Sequence, residues 1–321
     1  MKKIFRKKSR RFGITTIIII GIFLVGGILL YKNYQCFSNN TLDDASRAGI
    51  KSNKDISVNN ATVPYRDPKV EDFQIDANSA ISVVIDDNGN EKVLFEKDPD
   101  EKLLIASITK LMTAAVVLDN YDFSQKVKIS RMAVHMGGLL NVGDTFTVDT
   151  LFHIILIASD NTAAYTFSEM MPKGKFVELM NLKAKEFGLT NTYYSNSVGF
   201  GLENHSTAND LVKLSYQLLK KYPLIFKTSY TDEYDIYDVG GGFHYKTANT
   251  NKLLAENEVV KYEDRIIGGK LGENNIAGGC LVLVLKAPNN NGYIINVILN
   301  SKYRFTEMSE LVDWVDTAYK W

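Results

Sequence analysis

The longest apolar stretch lies near the start of the chain. Ile14 to Tyr31 contains no charged residue, and Lys2, Lys3, Arg6, Lys7, Lys8, Arg10 and Arg11 precede it. A run of this length forms a helix able to cross a hydrocarbon core of about 30 Å. Basic flanks stay on the cytoplasmic side, so residues 1–31 are expected to be a cytoplasmic tail and a single-pass membrane anchor. The rest of the chain would then be extracytoplasmic. Tyr31-Lys-Asn-Tyr34 offers no small-x-small cleavage site, which favours a retained anchor over a removed signal peptide. Asn33-Tyr34-Gln35 before Cys36 lacks the small apolar residues of a lipoprotein signal.

Residues 32–76 are rich in Asn, Asp, Ser and Lys and read as a polar extracytoplasmic linker. Beyond Ala77 the pattern changes. Ala80 to Ile85 and Lys92 to Phe95 flank Asp87-Asn88-Gly89-Asn90, which predicts a β-hairpin. Helical periodicity dominates from Ser107 to about Leu219. A second hairpin is expected from Val282–Leu285 and Tyr293–Leu299 across Pro288–Gly292, and an amphipathic helix from Glu307 to Tyr319. Strands at both ends with helices between them predict an α+β domain over residues 77–321. Its antiparallel sheet comes from both chain ends, with helices packed on it and a helical lobe inserted.

The chain has 37 basic and 37 acidic residues, and taking away the seven of the basic tail leaves 30 against 37. That balance argues against nucleic-acid binding. Cys36 and Cys280 make no disulfide framework. The four histidines show no metal-ligand spacing. No metal or cofactor is implied, and His205 beside Ser206 reads as a structural hydrogen-bonder.

Candidate chemistry begins at Ser107-Ile-Thr-Lys110, between the apolar Leu103–Ala106 and Leu111–Leu118. A serine hydroxyl needs a base beside it to attack a carbonyl, and residues three apart share a helix face. Lys110 is therefore placed to take the Ser107 proton. Ser159-Asp160-Asn161 sits between two helical runs and reads as a turn. Ser159 and Asn161 there could face a cleft while Asp160 turns inward, but taken alone the triplet is better read as a helix cap. Gly268-Gly269-Lys270-Leu271-Gly272 precedes a strongly β-forming run. On an edge strand it would set a cation between glycines, where another backbone can approach closely; taken singly, a solvated lysine in a glycine-rich turn is the better reading.

Ser-x-x-Lys, Ser-Asp-Asn and Lys-x-Gly in this order resemble the motif set of penicillin-binding proteins and class A β-lactamases. From Ala77 onward the chain resembles the low-molecular-mass penicillin-binding proteins, the serine-type D-alanyl-D-alanine carboxypeptidases. Lys185–Thr192, Asn196–Gly199, His205–Leu211 and Asn249–Leu254 look like family segments in family order. The resemblance implies a β-lactamase/transpeptidase-like fold and an acyl-enzyme on Ser107. It implies catalytic roles for Ser107, Lys110, Ser159, Asn161 and Lys270. Ser107 and Glu273 would supply oxyanion N–H groups, and Arg304 would hold the substrate carboxylate beside Leu271 and Gly272. The implied partners are peptidoglycan stem peptides ending in D-Ala-D-Ala, with β-lactams as covalent inhibitors.

Leu271 departs from the family pattern, which has Thr or Ser there to bond the substrate carboxylate. Losing a hydrogen bond to a charged group costs about 1.5–3 kcal/mol, so weakened activity is expected. A cell-wall peptide binder that kept the fold is one alternative. A β-lactamase is the other; its deacylating Glu would be Glu186, in a segment ending on Thr190 where Asn is expected.

Overall fold

Period-two alternation along the strands gives a five-stranded sheet two apolar faces. In a computed structural model describing residues 63–255, 262 and 264–321, β1 (Ser79–Ile85) and β2 (Glu91–Lys97) form the first hairpin. β3 (Ile266–Asn274), β4 (Gly278–Lys286) and β5 (Tyr293–Ser301) come from the other chain end. The order is β3-β4-β5-β1-β2, antiparallel throughout. Chain ends therefore meet at the centre, where β1 pairs with β5, and β3 is left as an edge.

Odd positions of β1 (Ile81, Val83, Ile85) and even positions of β4 (Cys280, Val282, Val284) join the larger core, toward the helical lobe. Ala80, Val84, Leu281, Leu283 and Leu285 join the smaller core on the opposite face, where successive side chains of a strand must point. That second face is covered by a helix over Arg304–Ala318, which buries Met308, Leu311, Val312 and Val315. Expected and observed fold agree here, including both hairpins and the terminal helix.

The lobe centres on α1 (Thr109–Asn120), buried continuously from Thr109 to Val117. Packed around it are α2 (Val148–Ile157), α3 (Asn161–Glu169) and α4 (Lys175–Glu186). The amphipathic α5 (Ala208–Lys221) lies against the sheet. Side chains cap several starts: Thr147 accepts from Thr150 N, Asp160 from Ala163 N and Thr207 from Asp210 N, each satisfying an otherwise orphaned donor.

Three features depart from the expectations. Residues 65–76 are not linker. Tyr65–Arg66 pairs with Tyr319–Lys320, and the ring of Phe73 packs on Phe95 and Trp314 at 5.3 and 5.9 Å. The folded part therefore starts before Ala77, because Val70, Phe73 and Ile75 find apolar partners on the terminal helix side. The helical stretch is interrupted by a ribbon of Lys126–Lys128 and Thr145–Thr147. A further hairpin, Glu233–Tyr237 with Phe243–Ala248, turns at Asp238, whose carboxylate accepts from Gly240 N and Gly242 N. The expected anchor over residues 14–31, Cys36 and the linker before Val63 lie outside the described residues. Among the described residues no helix is long and apolar enough to cross a membrane.

Candidate active site

Ser107 sits in a tight 3-10 turn, Ala106–Ile108, that runs straight into α1. Ala106 is held at φ 43°, a left-handed conformation costing a non-glycine residue about 1–2 kcal/mol. The turn is braced from two sides. Gly272 of β3 approaches so closely that a Cβ there would meet Ile105 O at 2.6 Å and Ser107 N at 2.9 Å. Asn204 donates to Thr109 Oγ1 at 3.0 Å and accepts from Ser195 N at 2.9 Å, fixing the 195–200 loop to the first turn of α1.

Lys110 Nζ lies 2.7 Å from Ser107 Oγ, 2.7 Å from Asn161 Oδ1 and 3.0 Å from Val198 O. The Asn161 amide is oriented by its own Nδ2, which donates to Met136 O, so Oδ1 is the group facing Lys110. Both Asn161 Oδ1 and Val198 O are acceptors only. They take the two N–H bonds of a neutral amine and leave its lone pair for the Ser107 hydroxyl. Lys110 is fully buried, and burial pushes its pKa down to about 7, with the Asp160 carboxylate opposing the shift. A base near neutrality is what general-base chemistry requires.

Ser159 and Lys270 form the second half. Lys270 Nζ is 2.8 Å from Ser159 Oγ and 2.9 Å from Leu271 O. Its side chain is buried, and burial first, then the charge of Lys110, holds its pKa well below that of a free lysine. Ser159 adopts φ 57° between α2 and α3, a strained turn that aims its hydroxyl at Lys270. Asp160 is both the inward residue and the cap of α3. It is 3% exposed and accepts from Ala163 N at 2.7 Å and Leu139 N at 2.5 Å. Burial raises its pKa, and those two bonds and Lys110 oppose the rise. The cap reading and the site reading of Ser159–Asn161 thus describe one turn.

β3 distributes the remaining residues by face. Lys270 and Gly272 point toward the Ser107 turn. Leu271 and Glu273 lie on the opposite face, where Leu271 packs on the smaller core and Glu273 pairs with Arg304 at 2.7 Å. Ser107 opens into a pocket that Asn161, Phe200, Glu273 and Asn274 also line. It is small, about 40 Å³, and larger hollows exist, such as one of about 490 Å³ beside Tyr165 and Lys173. Chemistry singles out the Ser107 pocket, which alone among these pairs a hydroxyl with a buried amine. Glu186 lines none of it and is paired with Lys221 at 2.7 Å. Val198 O and Phe200 were not singled out as site groups. Their signal was the segment Asn196–Gly199, whose Asn196 Oδ1 accepts from Val198 N and Gly199 N and so turns Val198 O toward Lys110.

A serine next to a buried lysine, a strained Ser-Asp-Asn turn and a strand lysine bonded to that turn match the arrangement the sequence resemblance called for. Residues 66–303 match the family model described as D-alanyl-D-alanine carboxypeptidase, and the chain belongs to that family, whose serine peptidases act on peptidoglycan. It is 32% identical over 261 residues to a D-alanyl-D-alanine carboxypeptidase of Bacillus subtilis, covering 76% of this chain and 64% of that protein. It is 34% identical over 252 residues to a D-alanyl-D-alanine endopeptidase of Escherichia coli, covering 75% and 78%. The crystal structure of a Streptomyces K15 DD-transpeptidase superposes with TM-score 0.67 at 27% identity, covering 77% of this chain and all of that one. The α+β transpeptidase fold is therefore the one expected.

Proposed function

We propose that the protein is a membrane-anchored serine D,D-peptidase that cleaves peptidoglycan stem peptides after a D-alanyl carbonyl, through an acyl-enzyme on Ser107. The observation that carries this reading is the contact of Lys110 Nζ with Ser107 Oγ at 2.7 Å, with the other Lys110 partners both acceptors. Lys110 removes the Ser107 proton as Oγ bonds to the carbonyl carbon. The oxyanion lies by the N–H groups of Ser107 and Glu273, donors of the kind that usually supply the largest catalytic term. Collapse breaks the C–N bond, and the leaving amine takes a proton from Ser159, replaced from Lys270. Proton return from Lys110 to Lys270 resets both lysines, and water then hydrolyses the ester.

The uncharged run Ile14–Tyr31 after seven basic residues supports a single-pass anchor with the peptidase outside the cytoplasm. Leu271 removes the hydroxyl that would bond a terminal carboxylate, which supports weakened turnover of D-Ala-D-Ala ends. The test uses purified protein, a D-Ala-D-Ala pentapeptide, a cross-linked peptide dimer and penicillin. Cleavage of either peptide, and an adduct of one penicillin mass, are expected with the native protein and lost in Ser107→Ala. A folded protein that cleaves neither and gains no adduct refutes the enzyme reading and favours a peptide binder.

A further inference from the structure

Arg304, the side chain placed by resemblance to hold a substrate carboxylate, already holds one of the protein's own. Its Nη2 donates to Glu273 Oε2 at 2.7 Å. The Arg304 side chain is 14% exposed and that of Glu273 59% exposed, so the guanidinium is largely covered while the carboxylate reaches solvent. Glu273 also lines the Ser107 pocket. The guanidinium rests 4.6 Å over the Phe305 ring, and its Nε has no hydrogen-bond partner among the described residues. Two residues before Glu273, on the same face of β3, Leu271 presents methyl groups packed on the smaller core. Both positions that the resemblance assigns to a free carboxylate on the leaving residue depart from that assignment: one is apolar, the other is already paired.

A second carboxylate entering this corner meets the Glu273 charge at short range, and like charges a few ångströms apart repel strongly where water is partly excluded. A neutral leaving group meets no such penalty, and Leu271 leaves no hydroxyl unpaired when it binds. We propose that Glu273 is a specificity-determining residue that reserves Arg304, so that the cleft takes acyl donors whose leaving group has no free carboxylate. Such a leaving group is an amide-capped D-residue or the side-chain amine of a cross-link. The inference rests on the acyl-enzyme reading above. The chemistry is unchanged: Ser107 Oγ bonds to the D-alanyl carbonyl carbon, the C–N bond breaks, and the amine leaves with the proton relayed through Ser159. Only the substituent on the departing nitrogen differs.

The test compares three donors with one acyl portion. They end in D-Ala-D-Ala with a free carboxylate, in D-Ala-D-Ala amide, and in D-Ala joined to the Nε of a lysine amide. The native protein is expected to turn over the two uncharged donors with kcat/KM about tenfold or more above the free acid. Glu273→Gln is expected to raise kcat/KM for the free acid about tenfold relative to the two uncharged donors. The gain should vanish in the Arg304→Ala background, where no guanidinium is left to release. Titration of the three donors into Ser107→Ala protein gives the same order as binding constants, and covers an Arg304→Ala variant that does not fold. A lysine-linked donor well above the amide identifies cross-links as the substrate, and equal rates show that leaving-group charge alone decides. A native preference for the free acid, or a Glu273→Gln ratio unchanged from native, overturns the proposal while the peptidase reading stands. Absence of any Ser107-dependent cleavage and of any penicillin adduct overturns the peptidase reading itself.

Discussion

Gly272→Ala tests the closest contact in the site. A Cβ at this position would stand 2.6 Å from Ile105 O, 2.9 Å from Ser107 N and 3.0 Å from Ile108 N. All three are backbone atoms, so no flexible side-chain end is available to move aside. Ordinary contact begins at 3.4 Å, leaving a shortfall of about 0.8 Å that strand and turn must absorb by separating. Catalytic groups tolerate displacements of about 0.5 Å, and misplacement by about 1 Å costs about a hundredfold in rate. The expected loss in Ser107 acylation is therefore about a hundredfold, equivalent to about 2.7 kcal/mol on the barrier. Overpacking of this kind also destabilises by about 1–3 kcal/mol, a fall of about 2–12 °C in Tm for a domain of this size. Stopped-flow acylation with a fluorescent penicillin, read beside thermal melting and intact mass, separates the two effects. Acylation within about threefold of native with an unchanged Tm would show that β3 does not press on the Ser107 turn, and the oxyanion argument would fall with it.

The remaining predictions concern charge and the chain end. Only neutral Lys110 can accept the Ser107 proton, and its pKa is pushed down to about 7. The neutral fraction grows with pH, so acylation should rise about tenfold per unit below that value until Lys270 loses the proton it must supply; a rising limb centred near 10 would refute the assignment. Asp160→Asn removes the charge that holds the Lys110 pKa up, so the limb should move to lower pH. It also leaves Ala163 N or Leu139 N without its present acceptor, at a cost of about 1–3 kcal/mol in denaturant unfolding. Trp314→Ala deletes the ring packed on Phe73 and Phe95 and the donor to Glu71 O. It should cost about 2–4 kcal/mol while leaving Ser107 acylation within about twofold. A larger loss of acylation would mean that residues 65–76 also shape the site.

The Ser107–Lys110 contact was legible because it is local: three positions on one turn fix it before any tertiary structure is known. The turn Asp87–Asn90 and the β-forming run of β4 were legible for the same reason. The pairing of Tyr65–Arg66 with Tyr319–Lys320 carries no local signal, since it joins opposite ends of the chain. Composition misread residues 65–76 as linker because their apolar residues are few, and Phe73 is enough only when Trp314 and Phe95 are in place. The hairpin at Asp238 had its glycine-rich turn in plain view, but flanking strands with mixed exposure lack the clean alternation that marks a half-buried sheet. Glu273 passed as a backbone donor in sequence. Its ion pair with Arg304 needs the strand register and the helix start together.

The two buried lysines also constrain how the site works. Lys110 and Lys270 each lose proton affinity to burial, Lys270 loses more through the charge of Lys110, and Asp160 is the buried anion that opposes the shift at Lys110. Without substrate, the cleft is thus short of negative charge. In the proposed reaction a developing oxyanion at Ser107 supplies it, at the moment when Lys110 must take up a proton and Lys270 must hold one. Proton affinity at both amines therefore rises along the reaction coordinate and not before it, which is transition-state stabilisation in the strict sense. A permanent anion on the lysine side of β3 would raise both amines in the resting state and forfeit that difference. Glu273 avoids this because alternation puts its carboxylate on the other face, paired with Arg304.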